Sequence, residues 1–171
     1  EFADISLFEE LIDSKKLQLE VYAMLLPSKA NMDFVRKQGK YRHKNLIIRS
    51  FKVMGDGALG SRGAFLKQPY SDQHNHFGVL TTTIAEMKRI ATFCEANDYQ
   101  MNTHAIGDST NRILLDIYKT IFEIKPDHRW RIEHAQVVDA SDLHKFGDCS
   151  IIPSIQSTHA TSDMYWAEDR I

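Results

Sequence analysis

The sequence predicts an α/β fold, a mostly parallel sheet with flanking helices, on three observations. Strand-like and helix-like stretches alternate along most of the chain, the pattern of βαβ units. Apolar residues make up 43% and charged residues 26%, ordinary for a globular domain, which sets aside disorder, collagen and coiled coil. The 171 residues suit one domain, yet fall short of the roughly 250 that a closed eight-fold β/α barrel takes. The chain therefore reads as a consecutive run of β/α units cut from something larger.

Each element has its own signal. Ile5 to Leu17 reads as an amphipathic helix because Phe8, Leu11 and Ile12 fall at i, i+3 and i+4. Leu17 to Leu26 alternates and then becomes apolar, as a strand does, and Pro27-Ser28 ends it. Asn31 to Gln38 is a short helix stopped by Gly39, and Leu46 to Met54 is a strand rich in β-branched and aromatic residues. Gly55 to about Thr81 has glycines and little periodicity, a long loop of the functional or disordered kind. Thr82 to Asn97 carries Ile84, Met87, Ile90, Ala91 and Cys94 at helical spacing. A strand from Tyr99 to Ile106 follows, then a helix from Ser109 to Ile124 that Pro126 and Asp127 terminate. Trp130 to Gln136 is a further strand, Asp139 or Ser141 caps a short helix to Phe146, and Cys149 to Gln156 is the fifth strand.

Charge and cysteine content narrow the function. Lys plus Arg total 21 against 23 Asp plus Glu, a net charge of −2, so no basic excess is available for nucleic acid. No uncharged apolar run approaches the ~20 residues of a membrane span. Two cysteines, Cys94 and Cys149, cannot build a disulfide framework or a four-thiolate zinc site and read as buried apolar residues. A soluble, cytoplasmic setting is the default expectation, with any signal peptide preceding Glu1.

Three strand ends carry chemistry: Lys52, His104 and His134. In a parallel β/α fold, side chains at the carboxyl ends of strands converge on one mouth. Two imidazoles there suit a metal such as zinc, while a single strand histidine is more often a hydrogen-bonded core residue, and spacing leaves both readings open. A strand lysine is costly to bury charged. It needs an ion pair, a lowered pKa for Schiff-base work, or conversion by carbon dioxide to a carbamate that can bridge two metal ions.

Local sequence goes further. Phe51-Lys52 followed by Gly55-Asp-Gly-Ala-Leu-Gly-Ser-Arg-Gly63 resembles the lysine strand and glycine-rich loop of the amidohydrolase superfamily, in its YtcJ-like branch, amidohydrolase family 3. Asn102-Thr-His-Ala-Ile-Gly-Asp108 is similar to that family's fifth strand and Arg131-Ile-Glu-His-Ala-Gln136 to its sixth. Gln156-Ser-Thr-His-Ala-Thr-Ser-Asp163, with Trp166-Ala-Glu-Asp-Arg170, is similar to the segment after its seventh. The four matches occur in family order and cover nearly the whole chain.

The resemblance implies a partial (β/α)8 TIM barrel spanning roughly strands three to seven, without the first and last strands or the family's small β-sandwich domain. It implies a divalent metal, zinc, held by Lys52 as a carbamate and by His104 and His134. A His-x-His pair before Glu1 and a strand-eight aspartate beyond Ile171 would complete the site. That aspartate would be the proton shuttle, leaving no catalytic base between Glu1 and Ile171. Asp56, Arg62, Asp108 and Glu133 belong to the matched motifs as groups that orient the ligands or hold the fold, and His159 as a substrate-facing residue; Ser157 departs from the family's proline. The implied reaction is hydrolysis of a non-peptide C–N bond in a small amide-type substrate by a metal-bound hydroxide, with the isolated chain inactive, weakly metal-binding and unmodified at Lys52.

The alternatives are a Schiff-base lyase using Lys52 and a non-catalytic structural module. His74-Asn-His76 is the one His-x-His present, but it lies in a loop and reads as solvated, as do His43 in its basic run, His128 and His144. Val21, Ile48, Val53, Ile132 and Ile151 are expected to line the barrel interior. Two open sheet edges are expected to favour a homo-oligomer.

Overall fold

The computed structural model describes residues 2–171. In chain order it places α1 (Phe2–Asp13), β1 (Val21–Leu25), α2 (Lys29–Gln38), β2 (Tyr41–His43), β3 (Leu46–Met54), α3 (Ile84–Ala96) and β4 (Gln100–Ala105). Then follow α4 (Asp108–Phe122), β5 (Arg131–His134), α5 (His144–Asp148), β6 (Ile152–Ile155) and α6 (Ser157–Ser162), with 3-10 turns at Ala140–Asp142 and Ala167–Asp169. The sheet order is β1-β3-β4-β5-β6 with every neighbour parallel. This is an arc of a TIM barrel, with its helices on one face.

Local chemistry sets the boundaries. The Ser28 hydroxyl accepts from Asn31 N at 3.2 Å to start α2, and Gly39, at φ 66°, ends it by donating to the Val35 carbonyl. Thr83 caps α3 in the same way through Glu86 N. At the start of α4 the capping position is Gly107, because a Cβ there would stand 2.1 Å from the Phe65 carbonyl oxygen. The glycine lets the long loop lie directly on the helix start, where Ser109 N donates to Phe65 O.

The helix side of the sheet is the main core. Leu46, Ile48, Phe51 and Val53 of β3, Met101 and Ala105 of β4 and Ile132 of β5 are buried there with Met87, Ile90, Leu114 and Tyr118. A smaller core of Leu59, Ala64, Leu66, Tyr70 and Ile106 holds the long loop, with Trp166 packed against it. The loop is therefore ordered although it has no helix or strand.

The structure revises several sequence expectations. The first helix ends at Asp13 rather than Leu17, and β1 starts at Val21 rather than Leu17. A sixth strand, β2, pairs antiparallel with the start of β3 through a turn whose Lys44 has φ 51°. It uses the basic run read as solvated: His43 Nε2 lies 2.9 Å from Asp13 Oδ1, and the Tyr41 hydroxyl bonds Glu9. His128 is buried, not exposed: its Nδ1 accepts from Trp130 N and its Nε2 bonds the Cys149 carbonyl.

The residues expected inside the barrel are also reassigned. Ile48, Val53, Ile132 and Ile151 pack on the helix side with Val21 against them, and an extra residue in β3 at Arg49 shifts its alternation, so that Ser50 and Lys52 turn to the lumen while Phe51 and Val53 do not. That inner face is largely polar: Tyr22, Ser50, Lys52, Gln100, Asn102, Arg131, Glu133 and Ser154. Tyr22 bonds Gln100, and Arg131 bonds both Glu133 and Ser154.

Candidate active site

His104 stands near the end of β4, opposite Met54 of β3, on the inner face. Burial lowers its pKa first, and the neighbouring His134 lowers it further, against Asp56 and a hydrogen bond to the Gly57 backbone that raise it. The ring is thus held neutral. Its Nε2 is buried, has no hydrogen-bond partner among the described residues and lies 3.5 Å from Asp56 Oδ1.

Asp56 is 1% exposed and fixes the surrounding backbone. Its carboxylate accepts from Ile106 N and Phe65 N at 3.0 Å and from Gly107 N at 2.9 Å. One side chain therefore ties the glycine-rich loop to the β4–α4 turn and sets a negative charge beside His104.

His134 reaches the site by a break in the pleat. Register pairs it with Ala105, whose side chain is buried on the helix side, so simple alternation would turn His134 away from the lumen. Its φ of 76°, followed by 43° at Ala135, reverses that direction. Left-handed backbone costs a non-glycine residue about 1–2 kcal/mol, and such strain concentrates at functional sites. The result is a His104–His134 ring pair with centroids 4.6 Å apart and planes at 68°. Nδ1 of His134 is bonded by Gln156, and the His159 ring follows at 6.0 Å.

Lys52 lies on the same inner face, opposite Asn102 and one pleat below His104. Among the described residues it has no hydrogen bond or ion pair. Burial lowers its pKa, Glu133 raises it and Arg131 lowers it. Glu133 is itself pushed up by burial but pulled down more strongly by hydrogen bonds from Arg131 and Ser154, so it stays anionic. Among the described residues no three His, Cys, Asp or Glu side chains stand together as a metal cluster.

The other sequence candidates divide. Asp56, Glu133 and His159 stand around the histidine pair and Lys52. Arg62 does not: it grips Asp72 through two bonds of 2.9 and 2.6 Å, beside Arg170, within the long loop. Asp108 accepts from Lys67 N at 2.9 Å and anchors the same loop. In the His-x-His, His74 is exposed and His76 donates from Nε2 to the Arg62 carbonyl, 2.8 Å away.

Two residues near His134 gain a place that sequence reasoning does not give them. Ile171 enters the sequence argument only as the point beyond which the strand-eight aspartate is expected. In the fold its side chain, 53% exposed, forms part of the wall beside His134 and His159. Gln156, the partner of His134, has no role assigned from sequence; its signal is its place at the end of the last strand, inside a matched motif.

The family model described as the amidohydrolase family matches residues 1–171. The chain belongs to that family. It is 31% identical over 123 residues to the putative amidohydrolase YtcJ of Bacillus subtilis (strain 168), covering 71% of this chain and 23% of that protein. It is 27% identical over 167 residues to the Protein LONG AFTER FAR-RED 3 of Arabidopsis thaliana, covering 95% of this chain and 28% of that one. An uncharacterized metal-dependent hydrolase from Pyrococcus furiosus superposes with TM-score 0.87 at 29% identity, over 100% of this chain and 35% of its own. One from Pyrococcus horikoshii OT3 gives 0.84 at 31%, over 100% and 34%. This amidohydrolase-family chain thus spans about a quarter to about a third of the length of these relatives.

Proposed function

We propose that this chain carries the central part of a metal-dependent amidohydrolase site that cleaves a non-peptide C–N bond of a small amide-type substrate. The observation that supports it most is the His104–His134 pair, one ring neutral and with a buried nitrogen that has no hydrogen-bond partner among the described residues. An orphaned imidazole nitrogen beside a second imidazole suits a borderline divalent metal such as zinc. When bound, such an ion polarises a carbonyl and acidifies a water.

The residues present would each do one task. His104 and His134 hold the ion, and the Gly57 and Gln156 contacts orient their rings. Lys52 is the third ligand after its neutral amine adds to carbon dioxide, forming a carbamate and releasing one proton. Burial favours this by raising the neutral fraction of the amine. Hydrolysis breaks the amide C–N bond, adds the water oxygen to the carbonyl carbon and transfers a proton to the departing nitrogen. The general base and the remaining ligands lie outside these 171 residues on this reading, so the chain alone is expected to bind metal weakly and to leave amides intact.

Zinc titration of the chain with a chromogenic competitor tests the assignment. His104→Ala and His134→Ala should each abolish the weak binding, while His74→Ala should leave it unchanged. Equal binding in all three variants would overturn it. The lowered pKa of Lys52 also suits a second reading, a Schiff-base lyase; borohydride trapping of a carbonyl adduct on Lys52 in the metal-free chain would favour it.

A further inference from the structure

Beside His134, away from His104, lies a cavity of 290 Å³ whose wall includes His134 itself. Four separate segments build it. The glycine-rich loop contributes Leu59, the turn after β5 contributes Val137, and the β6–α6 junction contributes Ile155 and Ala160. Trp166 seats the final segment on the loop: a Cβ at Gly60 would be 3.3 Å from its ring, and neighbouring Ala167 joins the wall.

The polar groups of this cavity are few and mostly engaged. Gln156 bonds His134, and Gln136 donates to Asp163 at 2.6 Å. The His159 ring has no hydrogen bond among the described residues and is therefore available to a ligand. The lining contains no Lys, Arg, Asp or Glu among the described residues. A charged group placed there would lose water and gain no counter-charge. An apolar group would cover Val137 and Ile155, of which Ile155 is 74% exposed.

We propose that this cavity receives a neutral alkyl or aryl substituent of the substrate, with the amide reaching back toward the His104–His134 pair. It rests on the amidohydrolase reading for where the reacting carbonyl lies. The volume matches the class: an apolar cavity of about 150 Å³ holds benzene, whereas drug-sized ligands take about 300–1,000 Å³. One ring or a short branched chain fits, with His159 within reach of a polar atom on the same substrate.

The test follows the NMR signals of the full 171-residue chain, without metal, as N-benzylacetamide or N-acetylglycine is added. N-Benzylacetamide should shift the signals of Ala160 and Ala167, and the anionic N-acetylglycine should not. Ala160→Trp and, as a second variant in the opposite wall, Ala167→Leu should each weaken benzyl binding about tenfold by filling the space. Equal shifts from both probes, no shift from the benzyl compound, or unchanged affinity in both variants would overturn the proposal. His104→Ala separates it from the metal reading, because the cavity walls are intact there: benzyl binding should persist in this variant whether or not zinc binds the parent chain.

Discussion

The two faces of the one sheet have been given opposite work. On the helix side, Ile48, Phe51, Val53, Met101 and Ile132 are sealed among α3 and α4. On the lumen side, the same strands carry Lys52, Asn102, His104 and Glu133, where Arg131 pairs with Glu133 and Asn102 reaches the Met24 sulfur. Adjacent residues therefore differ sharply in role: Phe51 is fully buried and holds the fold, while Lys52 next to it holds almost nothing. Stability resides on one face and chemistry on the other, so the two can be perturbed separately.

The largest expected effect tests that separation directly. Phe51→Ala should lose about 3–5 kcal/mol of unfolding free energy, the range for truncating a buried aromatic. Lys52→Met should stay within about 1 kcal/mol of the parent, because it removes a charge that burial already disfavours. Urea denaturation measures both, and comparable losses would break the comparison.

Next in size is the ion cluster that ties the long loop to the helix layer. Asp142 is 1% exposed and is reached by Lys67 at 2.9 Å, Lys145 at 2.7 Å and Arg112 at 3.1 Å. Asp142→Ala should cost about 2–3 kcal/mol, less than a fully buried network would, because the three cations keep access to water. Burial pushes the Asp142 carboxyl up, but hydrogen bonds from Lys145 and Lys67 outweigh it and leave it below the ordinary value. Hydrogen bonds from Lys67 and Ser141 lower Asp139 as well. Their contribution is then fully present above about pH 4, the ordinary aspartate range, and is lost as pH falls through the lower native values. Thermal melts from pH 6 to pH 2 should show this decline, and Asp142→Ala should flatten it.

Smaller still is the helix cap: Thr83→Ala should cost about 1 kcal/mol, seen as an earlier urea midpoint. At the bottom of the series, Lys29→Ala removes an ion pair to Asp33 in which the lysine is 90% exposed. It should shift stability by no more than about 0.5 kcal/mol.

Much of this division was legible in the sequence, and its gaps have physical causes. Alternation and helical spacing located β3, β4 and α3 closely, because long periodic segments average out local noise. β2 escaped because three residues, Tyr41-Arg42-His43, cannot display a period, and the partners of Tyr41 and His43 come from α1. His128 sits beside Pro126 and Asp127, which signal an exposed turn; its burial depends on the carbonyl of Cys149, 21 positions away. The lumen side escapes for a different reason: parity does not tell which face the helices cover, and the extra residue at Arg49 exchanges the two faces midway along β3. The positions of Lys52, His104 and His134 were readable from strand ends, whereas Gln156 and Ile171 joined the site only once the chain was folded.

The reversed torsion at His134 has a consequence for anyone transplanting this site. A graft that copies side chains onto an ordinary parallel strand would set the second imidazole among the scaffold's helices, a full sheet thickness from the first. What must be transferred is the pair of left-handed residues, His134 and Ala135, together with the Gln156 that steadies the ring. The unit of inheritance here is a bend in the main chain, and the histidine is its passenger.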